Sequence, residues 1–268
     1  MIEKLSNLPS PLQVLSDPAS LIVFSIFFVL MIGEELFPGR PLPAIRFWRT
    51  KGIAAFIVYF FLSSYLPLLW NESLSAYQVI DMTPLGDYRG ALAALLIYEL
   101  GVYVWHRSMH KSGLLWRIFH QMHHSAERVD TYGAFFFSPM DMIGFTFLTS
   151  LAMVWIGGFT AQATIYALYG ATFLAVFQHV NIKTPRWIGY VFQRPESHSL
   201  HHAKGIHAFN YSDLPLFDIL FGTFRNPKQF AGETGFYDGA SSRIGEMILF
   251  KDINIGDDKQ NPGLSKEA

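Results

Sequence analysis

Charged residues divide this chain into apolar blocks. Pro18 to Gly33 carries no charge and ends at Glu34 and Glu35. Gly52 to Asn71 is a second uncharged run, of the length a membrane-crossing helix needs. A third block, from Arg89 to Trp105, contains one carboxylate, Glu99. From Met142 to Ile182 there is no Asp, Glu, Lys or Arg, and Gly157-Gly158 falls near the middle. This run is about twice one span, which predicts either two helices, about 143–157 and 162–180, joined by a tight turn, or a pair of re-entrant half-helices. Residues 1–17 read as a short amphipathic or irregular lead. After Phe230 the composition turns to Gly, Asp, Lys and Ser, with a short apolar piece at 244–250 that can pack on the domain. From Asp257 the chain reads as disordered.

The pattern predicts an all-α, multi-span transmembrane bundle of about five spans, or three spans plus a membrane hairpin, with a helical cap. Three regions follow: membrane helices over 1–88, a catalytic domain over 89–230, and a polar, partly disordered tail over 231–268. Composition agrees: 51% of residues are hydrophobic and 15% charged, against about 25% charged in soluble domains. A net charge of −1 gives no bulk attraction to nucleic acid. No cysteine is present, so disulfides, thiolate nucleophiles and Cys-held metals are out. A cleavable signal peptide is not expected, because the first apolar run follows Asp17 and no small-residue cleavage site follows it.

Basic residues set the expected orientation. Arg40, Arg46, Arg49 and Lys51 follow the first span, whereas 71–88 has Glu72, Asp81 and Asp87 and no Lys or Arg. Arg107, Lys111, Arg117 and Arg128 follow the third span; Lys183, Arg186 and Arg194 follow the last. With five spans and an outside N-terminus, every basic stretch lies on the cytoplasmic side, in a bacterial inner membrane or endoplasmic reticulum.

All ten histidines lie between His106 and His207. They fall as His106 and His110; His120, His123 and His124; a lone His179; His198, His201 and His202; and His207. Two groups repeat His-x-x-His-His, which on a helix places three imidazoles toward one face. Clustered imidazoles without thiolates suit Fe, Cu, Ni or Zn rather than Mg or Ca. Structural zinc needs four ligands, so eight clustered imidazoles imply two metals. Spacing alone leaves His179 balanced between ligand and interfacial histidine, and favours His207 less. Glu99 lies two turns before His106, as an acceptor for a ligand N–H or as a salt-bridge partner of Arg107. Trp105, Trp116, Phe135, Phe136 and Phe137 either line the substrate's approach or anchor at the interface. A zinc-dependent hydrolase would use Glu196 as its general base; a metal transporter would spread its ligands across the membrane.

The segments YVWHRSMH (103–110), LWRIFHQMHHS (115–125), FQHVN (177–181), PESHSLHH (195–202) and NYSDLPLFDILFGTF (210–224) resemble the fatty acid hydroxylase/sterol desaturase superfamily. The resemblance implies an integral-membrane di-iron enzyme that uses O₂ and two electrons to hydroxylate, or occasionally desaturate, a fatty acyl chain or sterol. It implies two Fe ions, replaced by Zn in some isolates, held by His106, His110, His120, His123, His124, His179, His198, His201 and His202. Asn181, Asn210 and Asp218 fall at motif positions behind the ligands or in the architecture. Two departures stand out: Phe136-Phe137-Ser138-Pro139 replaces the usual Arg-x-His-Pro, and Asn210-Tyr211-Ser212 replaces Asn-Tyr-Gly. The neighbours of His179 one turn away are Ala175 and Lys183, leaving a tenth coordination place for His207, Asn181 or water. The chain shows no Gly-x-Gly-x-x-Gly loop and no cysteine for an iron–sulfur cluster, so electrons are expected from a separate cytochrome b5-, ferredoxin- or reductase-like donor.

Overall fold

The computed structural model describes residues 8–254; the tail expected from Asp257 onward lies outside them. Pro18–Leu36 forms helix α1, started by Asp17, whose carboxylate accepts from Ala19 N–H, and by Pro18 in the first turn. Trp48–Tyr65 (α2) runs through Leu66 into Pro67–Ser75 (α3). The proline sits at the joint, where its missing N–H divides the two helices. Gly86–Lys111 (α4) extends past the apolar block and carries His106 and His110 on its last turns. Pro139–Ser150 (α5) continues as a π-helical turn over Leu151–Ile156, and Ala161–Phe177 is α6.

Gly157 and Gly158 pair in parallel with Ile80 and Asp81, in the loop between α3 and α4. The α5–α6 turn therefore reaches the same end of the bundle as that loop, and the long uncharged run is two helices, each packed on α4. The α4–α6 contact is the most extensive in the bundle. It is built from small residues four apart, Gly90 and Ala94 facing Ala163, Ala167 and Ala171, which let the backbones approach closely. Among the described residues three helices, Pro18–Leu36, Trp48–Ser75 and Pro139–Ile156, are long and apolar enough to cross a membrane. Only 11% and 17% of the apolar windows in the first two are buried within the protein, so their outer faces need an apolar surrounding.

The cap lies at the opposite end from Gly157. Glu34, at the end of α1, ties it to the bundle: its carboxylate accepts from Thr131 N–H (2.8 Å), Thr131 Oγ1 (2.6 Å) and Asn181 N–H (2.9 Å). Trp48 Nε1 donates to Asp130, which also takes Arg128. The region expected to be a polar tail folds, as far as residue 254, into the cap. Phe236, Ala240, Met247 and Ile253 are buried against Trp48, Trp116, Met122 and Phe136. Phe236, Ala240 and Ile253 stand among small or polar neighbours, so composition hides them, whereas Met247 belongs to the apolar piece at 244–250 that was expected to pack on the domain. Gln121 closes the seam by donating to Lys251 O and accepting from Ile253 N–H.

Gly52 of α2 touches the 130–133 turn so closely that a Cβ there would collide with the Tyr132 carbonyl oxygen. Gly52→Ala is therefore expected to lower stability by roughly 1–3 kcal/mol through overpacking, read as a lower thermal midpoint in detergent.

Candidate metal centre

Nine of the ten histidines meet in the cap, in two adjoining groups. The five potential donor atoms of His106, His110, His120, His124 and His201 lie within 4.8 Å of one another, as do the four of His123, His179, His198 and His202. The one-face expectation for His-x-x-His-His changes here. A π-helical turn, Trp116–His120, leads into a helical turn, Gln121–His124. His120 and His124 enter the first group and His123 the second. Pro195–His201 (α7) does the reverse: His198 and His202 enter the second group and His201 the first. The i, i+4 pair shares one direction and i+3 is turned aside, toward the neighbouring group. The groups touch where His124 stacks on His202 with ring centroids 4.1 Å apart.

The far side of several rings is fixed by an acceptor. Nδ1–H of His106 donates to Tyr211 O (2.7 Å), that of His179 to Ala175 O (2.6 Å) and that of His201 to Phe209 O (2.7 Å). His120 Nδ1–H donates to Asp141 Oδ2 (2.7 Å). Holding the proton on Nδ1 leaves the Nε2 lone pair free toward the centre, which is how a metal-binding imidazole is oriented. The Nε2 atoms then face one another: His120 and His106 at 2.8 Å, His179 and His198 at 3.0 Å, His179 and His123 at 3.1 Å. Nε2 of His110, His124 and His201 is buried with no hydrogen-bond partner. Converging, unpaired lone pairs fit a pair of cations, and an all-imidazole donor set fits Fe, Zn, Cu or Ni.

Two of the acceptor carbonyls, those of Phe209 and Tyr211, come from a constrained segment. His207, Phe209 and Asn210 adopt positive φ (42°, 69° and 48°), a costly backbone for residues other than glycine. Asn210 clamps it, donating to Ser197 O and accepting from Arg225 N–H. Asp218, in Pro215–Leu220 (α8), accepts from Tyr211 N–H, Ser212 N–H and Thr223 Oγ1. Glu99 was expected to accept a hydrogen bond from a ligand N–H or to pair with Arg107, and it does neither. Its carboxylate accepts from Ser212 Oγ (3.0 Å), Asp213 N–H (3.0 Å) and Leu214 N–H (3.1 Å), while Arg107 donates to Tyr103. Glu99 and Asp218 thus hold from two sides the strand of chain that gives His106 its acceptor. Asn181 donates to Arg40 O and lies on the Glu34 tie. His207 joins neither group; its Nδ1 lies 3.2 Å from Nδ1 of His124, behind that ring. Of the aromatic residues, Trp116 packs on His110 and His124, Phe137 on His123, and Phe136 on Trp48, within the core.

Asp141 escaped the sequence reading. Its signal is Ser138-Pro139-Met140-Asp141, a helix start in which Ser138 Oγ accepts from Asp141 N–H. This carboxylate is the last before the run from Met142 to Ile182 that has no Asp, Glu, Lys or Arg. Glu196, the candidate general base, is spent: it accepts from Thr184 N–H and Oγ1 at 2.8 Å each and pairs with the buried Arg194 at 3.0 Å.

With this geometry comes a match to known proteins. Residues 91–223 fit the model of the fatty acid hydroxylase family. These residues form a fatty acid hydroxylase domain. Ornithine lipid hydroxylase OlsE of Rhizobium tropici is 30% identical over 139 residues, 50% of this chain and 41% of that protein. Very-long-chain aldehyde decarbonylase GL1-1 of Oryza sativa subsp. indica is 28% identical over 163 residues, 55% of this chain and 26% of that protein. The chain thus spans less than half the length of these curated relatives. No solved structure is a significant match.

Burial, reinforced by neighbouring imidazoles, pushes the histidines of the 120–124 and 198–202 boxes well below their ordinary 6.5, and burial brings His179 and His207 down to about 4. Below pH 6.5 the unfolded chain takes up protons that the folded cap refuses. The contribution to stability is complete above 6.5 and lost as pH falls toward 4. Chelator-treated protein should show a flat thermal midpoint above pH 6.5 and a falling one below it.

Proposed function

We propose that this protein is a membrane-embedded di-iron oxygenase that hydroxylates a C–H bond of a lipid. The observation that carries the reading is the pair of adjoining imidazole groups with their lone pairs turned inward. One iron is held by His106, His110, His120, His124 and His201, and the other by His123, His179, His198 and His202. When bound, the irons supply the activation of O₂ and the removal of hydrogen from an unactivated C–H bond. The chain's own part is orientation and exclusion. Asp141 and the carbonyls of Tyr211, Phe209 and Ala175 keep protons on Nδ1 and Nε2 open. Trp116, Phe137 and Phe145 pack on the rings and keep water from the cage.

Two electrons come from a separate cytochrome b5-, ferredoxin- or reductase-like donor. The cap end carries Arg117, Arg128, Lys183, Arg186 and Arg194, which favours the cytoplasmic side; the lipid arrives from the bilayer. A hydrolase reading loses support because Glu196 is bound to Arg194 and Thr184 rather than facing the histidines. A desaturase would use the same cage and differ in product.

Iron-reconstituted protein in nanodiscs, given an electron donor and isotopically labelled O₂, should bind two irons per chain and insert one labelled oxygen into a lipid. Stoichiometric zinc with no O₂ consumption would overturn the reading, and a product lacking two hydrogens would make the enzyme a desaturase. His123→Ala should abolish turnover while leaving membrane insertion intact. Asp141→Asn should weaken metal affinity roughly 10–100-fold, measured by chelator competition.

A further inference from the structure

Inside the bundle, between α1, α2, α5 and α6, lies a cavity of about 360 Å³, within the range of about 300–1,000 Å³ common for small-molecule sites. Along α6 its wall runs from Thr164 to Ala175, about 16 Å of helix. One end is formed by Tyr59, Phe135 and Ala175. Tyr59 and Phe135 pack on Phe137 with ring centroids 6.0 and 6.2 Å away, and Phe137 lies 4.6 Å from His123. Ala175 is the acceptor of His179. This end stands one residue layer from the cage. The other end is formed by Ser63, Ser64, Pro67 and Asn71.

The wall is neutral but polar. Among the described residues no Lys, Arg, His, Asp or Glu lines it, while half of the lining residues carry a hydroxyl or amide. The hydroxyl protons nearest the ends are already committed. Ser63 and Ser64 donate to Phe60 O, Thr146 to Met142 O and Thr149 to Phe145 O. Tyr59 and Tyr98 are hydrogen-bonded to Thr146 and Thr149. These groups present oxygen lone pairs, and Asn71 Oδ1 is buried with no partner among the described residues. A buried acceptor without a donor costs free energy until a ligand supplies one. A charged headgroup would find no counter-charge here and would lose its hydration.

We propose that this cavity holds an uncharged lipid chain bearing a hydrogen-bond donor, an alcohol O–H or amide N–H, which meets Asn71 at the end remote from the cage. The assignment of this chain as the one to be oxidised rests on the oxygenase reading above; the binding itself does not. Phe137 then separates the chain from the metals, and the distance from Asn71 to Phe137 sets which carbon reaches them.

The test uses the full chain in nanodiscs and a long-chain primary alcohol carrying a diazirine in mid-chain. After irradiation, peptides from 56–71 and 164–175 should carry the label. The unlabelled alcohol should compete about tenfold better than its methyl ether or the equal-length alkane, equivalent to ~1.4 kcal/mol. Asn71→Leu should keep the label and lose that preference, which also shows the variant is folded. Label confined to other segments overturns the cavity assignment. Equal competition by alcohol and ether overturns the donor requirement. Probe capture needs no turnover, so a protein that binds the alcohol yet oxidises nothing counts against the oxygenase alone. One that oxidises alkane and alcohol equally counts against this inference alone.

Discussion

Nine imidazoles have to stay neutral, and in one tautomer, inside a single enclosed volume. An unpaired polar ring nitrogen away from water is expensive, and here several point at each other. The surrounding architecture answers that constraint. α4 overruns its apolar block to bring His106 and His110 into the cap, α6 ends so that His179 can use the free carbonyl of Ala175, and Asp141 opens α5 directly behind His120. The strained 207–210 backbone makes sense in the same terms: it turns the Phe209 carbonyl onto His201, and Asn210 and Asp218 hold the chain there.

The spans and the histidine boxes were legible because each is written locally. An uncharged run is a statement about solvent, and His-x-x-His-His is a statement about one helical turn. What was not legible depends on partners far along the chain. Glu99 looked like a partner of His106, seven residues away, but its Oε2 takes three donors from 212–214, two backbone N–H groups and a hydroxyl. Glu34 looked like the end of a span and is a three-bond tie between α1 and two cap segments. Of the apolar contacts of 236–253, Phe236, Ala240 and Ile253 are single residues in a polar stretch, too sparse for any periodicity to report, while Met247 lies in the apolar piece that the sequence does show.

Below the cap, the bundle has a different task. Its outer faces are apolar and its α4–α6 seam is closed by small residues, yet its interior keeps a hydroxyl-lined space. Polar groups at membrane depth persist when they are paired or line a site. Four of these hydroxyls, those of Ser63, Ser64, Thr146 and Thr149, are returned to their own helix carbonyls, the least disruptive way to keep an oxygen facing inward.

The way the two boxes are shared has one more implication. Each sends two rings to one group and one ring to the other, with the majority exchanged between boxes. Neither position can be assembled from a single stretch of chain, and neither can be dismantled without moving a segment that serves its twin. Under the two-metal proposal, loading would be cooperative: a first cation would settle both boxes and meet most of the ordering cost of the second, so half-filled molecules would be scarce at equilibrium.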